Sequence, residues 1–274
     1  MNSDQGRRTI APFGRRRATV VEAVAVGAYR LLRCSDPAGP RPRPGQFYML
    51  AAVERWGGGE DERPYLPRAF SFLRIGAAGI EFLLEDVGPG TRRLGELTAG
   101  EELWLTGPLG AGFTAPREGR QALLAGGGIG IVPLAAWQDE LSARETPAVA
   151  LLGFRDAAYA QAAGLLAAPQ VATDDGSIGR RGFVTELLAA ALHRDAHAEI
   201  YACGPPAMLE AVRALAAARG VPAQLALEAG MACGFGGCFG CVVPTRAGYQ
   251  RVCVEGPVFE AAHLDTALAA GAGH

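Results

Sequence analysis

The stretch QALLAGGGIG (residues 121–130) predicts how the second half of the chain folds. Its first five residues are typical of a buried strand, the glycines of a tight loop, and a helix is expected to follow through Ala143. Glycines between a strand and a helix let a nucleotide approach the backbone, and the helix N-terminus favours phosphates. The pattern is not a full G-x-G-x-x-G, because Ile131 and Pro133 occupy the place of a third glycine, so a plain tight turn is an equal alternative.

Apolar strands and helices alternate after this loop. Strands are expected at residues 148–154, 170–173 and 198–203, and helices at 183–192 and 206–219. This alternation predicts a parallel sheet covered on both faces. Such sheets bind ligands beyond the carboxyl ends of their strands, where Asp174 and the run Cys203-Gly204-Pro205 lie.

The preceding hundred residues have a different rhythm. Short strands separated by glycine and proline turns are expected at residues 18–26, 29–34, 46–51, 69–73, 79–84 and 102–106, which predicts a closed antiparallel barrel. We therefore expect a barrel domain at residues 17–115, an α/β domain at 116–221 and a glycine- and cysteine-rich region at 222–262.

Composition excludes several classes of protein. The chain has 274 residues, of which 49% are hydrophobic and 20% charged, so a disordered chain is excluded. The net charge of −2 argues against a nucleic-acid-binding protein, and no segment has the pattern of a membrane span. Arg7-Arg8 and Arg15-Arg16-Arg17 precede no apolar stretch of signal length, so they are expected to belong to a frayed basic tail.

The cysteines carry the most specific signal. Cys233, Cys238 and Cys241 have the spacing C-x4-C-x2-C, and Cys253 follows 12 positions later. This is the plant-type [2Fe–2S] spacing, and the glycines between the cysteines let backbone N–H groups approach the sulfurs. The alternatives are structural zinc, which usually has two C-x2-C pairs, and a disulfide framework, which is less favoured without a secretion signal.

A second candidate site lies in the barrel. Arg68-Ala69-Phe70-Ser71 is expected on a strand, where a cation can hold a phosphate, and Gly90-Thr91 can offer donors to a pyrophosphate. Taken singly, Arg68 is as well explained by a surface ion pair and Phe70 by a core aromatic. No acid–base or nucleophile constellation stands out, and Cys203 has no evident histidine partner. No catalytic residue is therefore assigned, and the chemistry is expected to belong to cofactors.

The order R-x-F-S, G-x-G-T, G-G-G-I-G, C-G-P-x-x-M and then the cysteine block resembles the ferredoxin reductase superfamily. The C-terminal position of the cysteines narrows the resemblance to the electron transfer subunits of NAD-dependent (type B) dihydroorotate dehydrogenase. Further matches are Thr173-Asp174-Asp175-Gly176-Ser177, Met231-Ala232-Cys233-Gly234 and Arg251-Val252-Cys253. The resemblance covers about residues 17–259.

The resemblance implies a function in electron transfer. A partner subunit would oxidise dihydroorotate on FMN, in pyrimidine biosynthesis, and electrons would pass through a [2Fe–2S] cluster and FAD to NAD(H). It implies a cytoplasmic complex, with two copies of each subunit, and no nucleic-acid or membrane partner.

The resemblance also implies the site residues. FAD would be bound by Arg68, Ala69, Phe70, Ser71, Leu83, Leu84, Glu85, Gly90 and Thr91. The remaining cofactor-binding residues would be Gly127, Gly128, Gly130, Asp174, Cys203, Gly204 and Pro205, and the cluster ligands Cys233, Cys238, Cys241 and Cys253.

Two departures from the family pattern and two alternative functions accompany this interpretation. Ala69 replaces a proline common in the family, and Glu85-Asp86 stand where an arginine is frequent, so contacts near a pyrophosphate are expected to use the backbone there. Arg155-Asp156 offer groups for either NADP or NAD, and the family favours NAD. The alternatives are a reductase for a hydrogenase or oxygenase, and a zinc-binding or redox-sensing protein without turnover.

Overall fold

The computed structural model describes residues 7–10, 14–58, 63–77, 79–269 and 271. No helix among these residues is long and apolar enough to cross a membrane. The strands are β1 Arg16–Val26, β2 Tyr29–Ser35, β3 Phe47–Ala52, β4 Arg68–Ser71, β5 Arg74–Gly76, β6 Gly79–Leu84, β7 Glu102–Leu109, β8 Gln121–Gly127, β9 Ala148–Phe154, β10 Gln170–Thr173, β11 Arg180–Arg181, β12 Ala198–Cys203, β13 Ala223–Ala226, β14 Val242–Thr245, β15 Gly248–Arg251 and β16 Val258–Glu260. The α-helices are α1 Pro89–Gly95, α2 Ile131–Ala143, α3 Ala157–Ala160, α4 Val184–Arg194 and α5 Pro206–Arg219.

The N-terminal domain is an antiparallel barrel. Its strands follow the order β4-β3-β7-β1-β2-β6-β5. The first and last of these, β4 and β5, are separated only by Phe72 and Leu73, so one stretch of chain pairs with β3 at its start and with β6 at its end. This change of partner closes the sheet, and its interior is filled by apolar side chains such as Leu32, Leu50 and Phe82.

The second domain is a parallel sheet covered by helices. Its order is β11-β10-β9-β8-β12-β13-β16, and only β16 runs antiparallel to its neighbour. The apolar β8 lies near the centre between β9 and β12, as the sequence predicts for a strand buried on both faces. Strands β13 and β16 extend this sheet beyond residue 221, so the cysteine-rich region returns to the α/β domain at its end.

The two domains share one hydrophobic core. Tyr29, Leu73 and Leu83 of the barrel pack in the same cluster as Leu134 and Trp137 of α2. The apolar packing of this cluster therefore crosses the boundary between the two domains.

The basic N-terminus docks onto the protein instead of fraying. The Arg7 guanidinium donates to the carbonyls of Gly112 (3.3 Å) and Val258 (2.7 Å), and Arg8 donates to the carbonyl of Val254 (3.0 Å). The expectation of a frayed tail is therefore wrong for these two residues, and it is also wrong for Arg16 and Arg17, which begin β1 and pair with β7. The acceptors of the Arg7 and Arg8 hydrogen bonds are backbone carbonyl groups that are distant in sequence, so no local sequence pattern identifies them.

Candidate functional site

A cleft lies where the barrel, the α/β domain and the C-terminal region meet. Eight of the predicted cofactor-binding residues line it together: Ala69, Phe70, Ser71, Leu83, Glu85, Thr91, Gly130 and Cys203. They come from the barrel strands and the loop after β6, from α1, from the glycine loop and from the end of β12, which are far apart in sequence. The structure thus brings the barrel motif and the glycine loop to one site.

The sequence analysis missed a third wall of this cleft. Ala226, Leu227, Glu228, Ala229 and Met231 line it from the C-terminal side, with Pro257 beside them. Phe47, Val87, Ile129, Val132 and Pro133 complete the lining. The Met-Ala-Cys-Gly pattern identifies this segment in the sequence. The segment faces the barrel residues of the cleft only because β13, which precedes it, pairs with β12 of the parallel sheet.

Leu84 and Gly90 lie beside the cleft but do not line it. The Leu84 side chain fills the barrel interior. Gly90 is buried against Arg68, since a Cβ atom on Gly90 would stand 2.6 Å from the Arg68 Nε. The Thr91 hydroxyl donates to the Gly88 carbonyl (3.0 Å), so the donors left for an anion are backbone N–H groups of the first turn of α1.

Arg68 directly precedes Ala69 of the cleft lining but is not itself part of that lining. It is half-buried, it donates to the Leu66 carbonyl (2.5 Å), and no carboxylate pairs with it among the residues described. The surface ion pair that would have explained Arg68 is therefore absent from the described structure. Nearby Asp86 turns away to pair with Arg92 (3.2 Å), which removes one of the two acids expected to repel a pyrophosphate.

Replacing Arg68 by Ala is expected to weaken FAD binding. A hydrogen bond to a charged group contributes about 1.5–3 kcal/mol, so the Kd for FAD should rise about 10- to 150-fold. Fluorescence titration of deflavinated protein with FAD measures this. Arg55→Ala is the matched control, because Arg55 is an exposed arginine of the barrel that pairs with Glu96 and lies outside the cleft lining. An unchanged Kd for Arg68→Ala would contradict the assignment of this residue to FAD.

The glycine loop packs directly on the end of β12. A Cβ on Gly130 would stand 2.4 Å from the Cys203 carbonyl oxygen, and one on Gly127 would stand 2.5 Å from the Met208 sulfur. Gly204 faces the same methionine. Gly127, Gly130 and Gly204 therefore let the glycine loop pack against the end of β12 and the first turn of α5.

The other predicted nicotinamide residues lie further out. Asp174 and Pro205 are exposed at the carboxyl ends of their strands, outside the lining of the cleft. The Asp156 carboxylate accepts from the backbone N–H groups of Ala158 (2.9 Å) and Tyr159 (3.3 Å), so it caps α3. The Arg155 guanidinium lies 4.1 Å from the centre of the Tyr159 ring. The sequence suggested that the Asp156 carboxylate could bind a ribose, but in the structure this carboxylate is used to cap α3.

The four motif cysteines form two pairs. The sulfurs of Cys233 and Cys238 lie 3.4 Å apart on the loop. Cys241 and Cys253 flank the hairpin formed by β14 and β15, and the Val252 N–H donates to the Cys241 carbonyl (2.7 Å). The hairpin explains why 12 positions separate the third and fourth cysteines.

The surroundings of the cysteines favour the thiolate at Cys233 and oppose it at Cys253. Burial raises the pKa of Cys233, but backbone N–H groups of Cys238, Phe235 and Gly237 outweigh it and bring this pKa down to about 6. Burial, with the neighbouring Cys241, raises the pKa of Cys253 to about 12. A cationic metal centre would favour the thiolates of both pairs, because thiolates are the form that binds metals.

The pairing favours two metal ions over one. Cys233 lies beside Cys238 and Cys253 lies beside Cys241, so each pair can supply the two sulfurs that one iron of a two-iron cluster takes. A zinc site built from four cysteines needs all four sulfurs around one ion, whereas a two-iron cluster takes two sulfurs at each iron. These residues therefore fit a [2Fe–2S] cluster better than zinc.

The cysteine loop and the cleft share one segment of chain. Met231 lines the cleft, and Cys233 follows it by two residues. Gly234 has a positive φ of 78°, and a Cβ there would stand 2.5 Å from Met49 Cγ on β3 of the barrel. Only glycine allows this approach, which presses the cysteine loop against the strand next to β4. Two residues span about 7 Å at most, so the two sites are adjacent.

Comparison with known proteins agrees with this architecture. The model of the iron–sulfur cluster binding domain of dihydroorotate dehydrogenase B matches residues 228–265, which contain all four cysteines. The NADH-dependent reduced ferredoxin-NADP oxidoreductase superposes with a TM-score of 0.77 at 24% identity, over 91% of this chain and 90% of that chain. The ferredoxin reductase of carbazole 1,9a-dioxygenase has a TM-score of 0.65 at 27% identity, over 78% and 68% of the two chains. The fold and site define an oxidoreductase of the ferredoxin reductase class with an added iron–sulfur domain.

Curated relatives narrow this class to one family. The dihydroorotate dehydrogenase B (NAD(+)) electron transfer subunit of Geobacillus thermodenitrificans is 36% identical over 266 residues, covering 92% of this chain and 99% of the relative. That of Clostridium acetobutylicum is 34% identical over 224 residues, covering 81% and 86%. The chain belongs to the family of dihydroorotate dehydrogenase B electron transfer subunits. The resemblance, the fold class and the iron–sulfur cluster expected from the sequence are confirmed.

Proposed function

We propose that this chain carries electrons between a dihydroorotate-oxidising partner subunit and NAD, in pyrimidine biosynthesis. FAD, when bound, can exchange single electrons with an iron–sulfur cluster and electron pairs with a nicotinamide. The observation that carries the proposal is the segment shared by the cleft and the cysteine loop, from Glu228 to Cys233. This segment keeps the cluster site next to the flavin site, with no domain between the two.

Each wall of the cleft has its own part in this proposal. Ala69, Phe70 and Ser71 present one edge of the barrel to the flavin, and Arg68 holds its phosphates. Opposite them, burial and then the charge of Glu228 raise the pKa of Cys203 well above its usual value, so its thiol is neutral and serves as an uncharged surface beside the flavin. Gly128 and the N-terminus of α2 receive the nicotinamide coenzyme, with NAD favoured by the family.

We assign the oxidation of dihydroorotate to an FMN-containing partner subunit. Among the described residues, the cleft lining includes Glu85 and Glu228 but no histidine or lysine. The charge of Glu228 acts on the buried Cys203 thiol. His193, His197 and His263 are exposed and lie outside it. We place the complex in the cytoplasm, where a reducing environment would keep the four motif cysteines available as cluster ligands.

Reconstitution tests the proposal. The purified holoprotein is expected to reduce a dye with NADH but not to oxidise dihydroorotate. Adding the FMN subunit should restore NAD⁺-linked dihydroorotate oxidation, in a complex of two copies of each subunit by light scattering. Dihydroorotate oxidation by the isolated chain, or no complex with the FMN subunit, would refute it. The similarity to a ferredoxin reductase of an oxygenase makes an oxygenase component the second partner to try.

A further inference from the structure

A second cavity lies between the barrel and α2, apart from the cofactor cleft. It is lined by the loop between β2 and β3, by the stretch from β4 to β5 and by the second half of α2. Its volume is about 520 Å³, within the roughly 300–1,000 Å³ of small-molecule sites. None of its lining residues lines the cleft, so the binding of flavin and nicotinamide there does not account for this cavity.

The lining of this cavity has a net positive charge. It contains four arginines and two acids, which give a formal charge of +2. Two of the arginines are already neutralised, because Arg74 donates to Asp139 (2.6 Å) and Arg144 pairs with Glu140. The net charge therefore belongs to the remaining two arginines.

Arg41 and Arg43 carry this uncompensated charge. Both are exposed, and neither guanidinium has a hydrogen-bond or ion-pair partner in the described part of the chain. A guanidinium presents its N–H groups as a planar fork that matches the oxygens of a phosphate. A phosphomonoester carries a charge of about −1.5 to −2 at pH 7, which matches the +2 of the lining.

The loop that carries these two arginines is held in place through its backbone. Its sequence, Pro40-Arg41-Pro42-Arg43-Pro44, alternates with prolines, whose φ angle is fixed. The Thr9 hydroxyl donates to the Arg41 carbonyl (2.7 Å), and the Arg43 N–H donates to Gln46 Oε1 (2.9 Å). Because these contacts use only backbone atoms of the arginines, both guanidinium groups stay available, and the loop loses little freedom when a ligand binds.

Another part of the lining is apolar. Phe72 and Ile75 come from the barrel, and Ala136 and Ala143 come from α2. Ile75 is 38% exposed, although it is a large hydrophobic side chain. An apolar wall beside two unpaired arginines suits an organic phosphate, because a bare phosphate ion would leave that wall in water.

We propose that this cavity binds a phosphomonoester of nucleotide size. Its phosphate lies on Arg41 and Arg43, and its organic part lies against Ile75 and Ala143. The ligand contacts both domains, because Ile75 belongs to the barrel and Ala143 to α2. This site goes beyond the proposed electron transfer, which does not require it.

Calorimetric titration of the FAD- and cluster-loaded protein with uridine monophosphate tests the proposal. The base of this probe is not the adenine of FAD and NAD, so the cofactor sites do not favour it. The wild type should bind one equivalent, and it should bind uridine, which lacks the phosphate, at least about tenfold more weakly. Inorganic phosphate, which lacks the organic part, should also bind more weakly than the nucleotide.

Arg43→Gln removes a charged donor and keeps the backbone N–H that contacts Gln46. Its Kd for uridine monophosphate should rise about tenfold or more, as for loss of a hydrogen bond to a charged group, and Arg41→Gln should have the same effect. The Tm without ligand and the flavin content of both variants should stay unchanged, because both arginines are exposed and lie outside the cleft lining.

Arg194→Gln is the matched control. Arg194 is also an exposed arginine without a partner in the described structure, but it ends α4 and lies outside this cavity. Its replacement should leave the Kd unchanged. Absence of binding to the wild type, equal binding of uridine, or a Kd that Arg41→Gln and Arg43→Gln do not change would overturn the proposal. Inorganic phosphate that binds as tightly as the nucleotide would overturn the assignment to a ligand of nucleotide size.

Discussion

Replacing Cys233, Cys238, Cys241 or Cys253 by Ala is expected to abolish the iron–sulfur cluster. Each pair of sulfurs would hold one iron, so the loss of any one thiolate leaves an iron with an incomplete ligand set. Iron and labile sulfide should fall from two of each per chain towards zero, and the visible absorption of the cluster should disappear. The residues proposed to bind FAD are different ones, so NADH-dependent dye reduction should persist.

Cys34→Ala is the control for these four variants. Cys34 is fully buried in the barrel core, where burial raises the pKa of its thiol to about 12 and keeps it protonated. Its removal should leave the iron and sulfide contents unchanged. One zinc per chain without sulfide in the wild-type protein would overturn the assignment of the cysteines to a cluster.

The second domain was the more predictable part of the fold. Strands at 148–154, 170–173 and 198–203 and the helix at 206–219 have the bounds that the sequence predicts. Strands buried on both faces are continuous apolar runs, and proline, glycine and arginine mark their ends. These strands can therefore be predicted from their own residues, without knowledge of the strands beside them.

The barrel and the cleft were less predictable because their decisive features are tertiary. Arg74–Gly76 is too short and too polar to be recognised as a strand, yet its pairing with β6 closes the barrel. The wall from Ala226 to Met231 faces the flavin motif only because β13 joins the parallel sheet. The cysteine spacing indicated a cluster, whereas the pairing of Cys241 with Cys253 depends on the hairpin between them.

The exposed rings beside the outer cysteine pair, Cys233 and Cys238, form a small apolar surface. Phe235 is 48% exposed and Phe239 is 63% exposed, and the Arg251 guanidinium lies 5.0 Å from the centre of the Phe239 ring. Val242, which belongs to the same sequence block, is only half exposed on β14. Phe239 has a positive φ of 57°, which is unfavourable for a large side chain, so the loop holds this ring outward at some cost.

Phe239→Ser is expected to weaken the complex with the catalytic subunit. Aromatic anchors at the centre of an interface contribute about 2 kcal/mol or more, so the Kd of the complex should rise at least about 30-fold. Analytical ultracentrifugation or calorimetry with the catalytic subunit measures this. The cluster absorption and the NADH-dependent dye reduction of the isolated chain should stay unchanged, because Phe239 is neither a cluster ligand nor part of the cleft lining.

Phe183→Ser separates docking from a general effect of losing an exposed ring. Phe183 is 62% exposed, almost as much as Phe239, but it precedes α4 on the α/β domain, outside the cysteine-rich region. Its replacement should leave the Kd of the complex unchanged. If Phe239 only shields the cluster from water, Phe239→Ser would shorten the lifetime of the cluster in air and leave the Kd unchanged, and that result would contradict the docking role. A lower affinity together with an unchanged cluster lifetime would instead place the partner directly against the outer cysteine pair, where electrons have the shortest path between the two proteins.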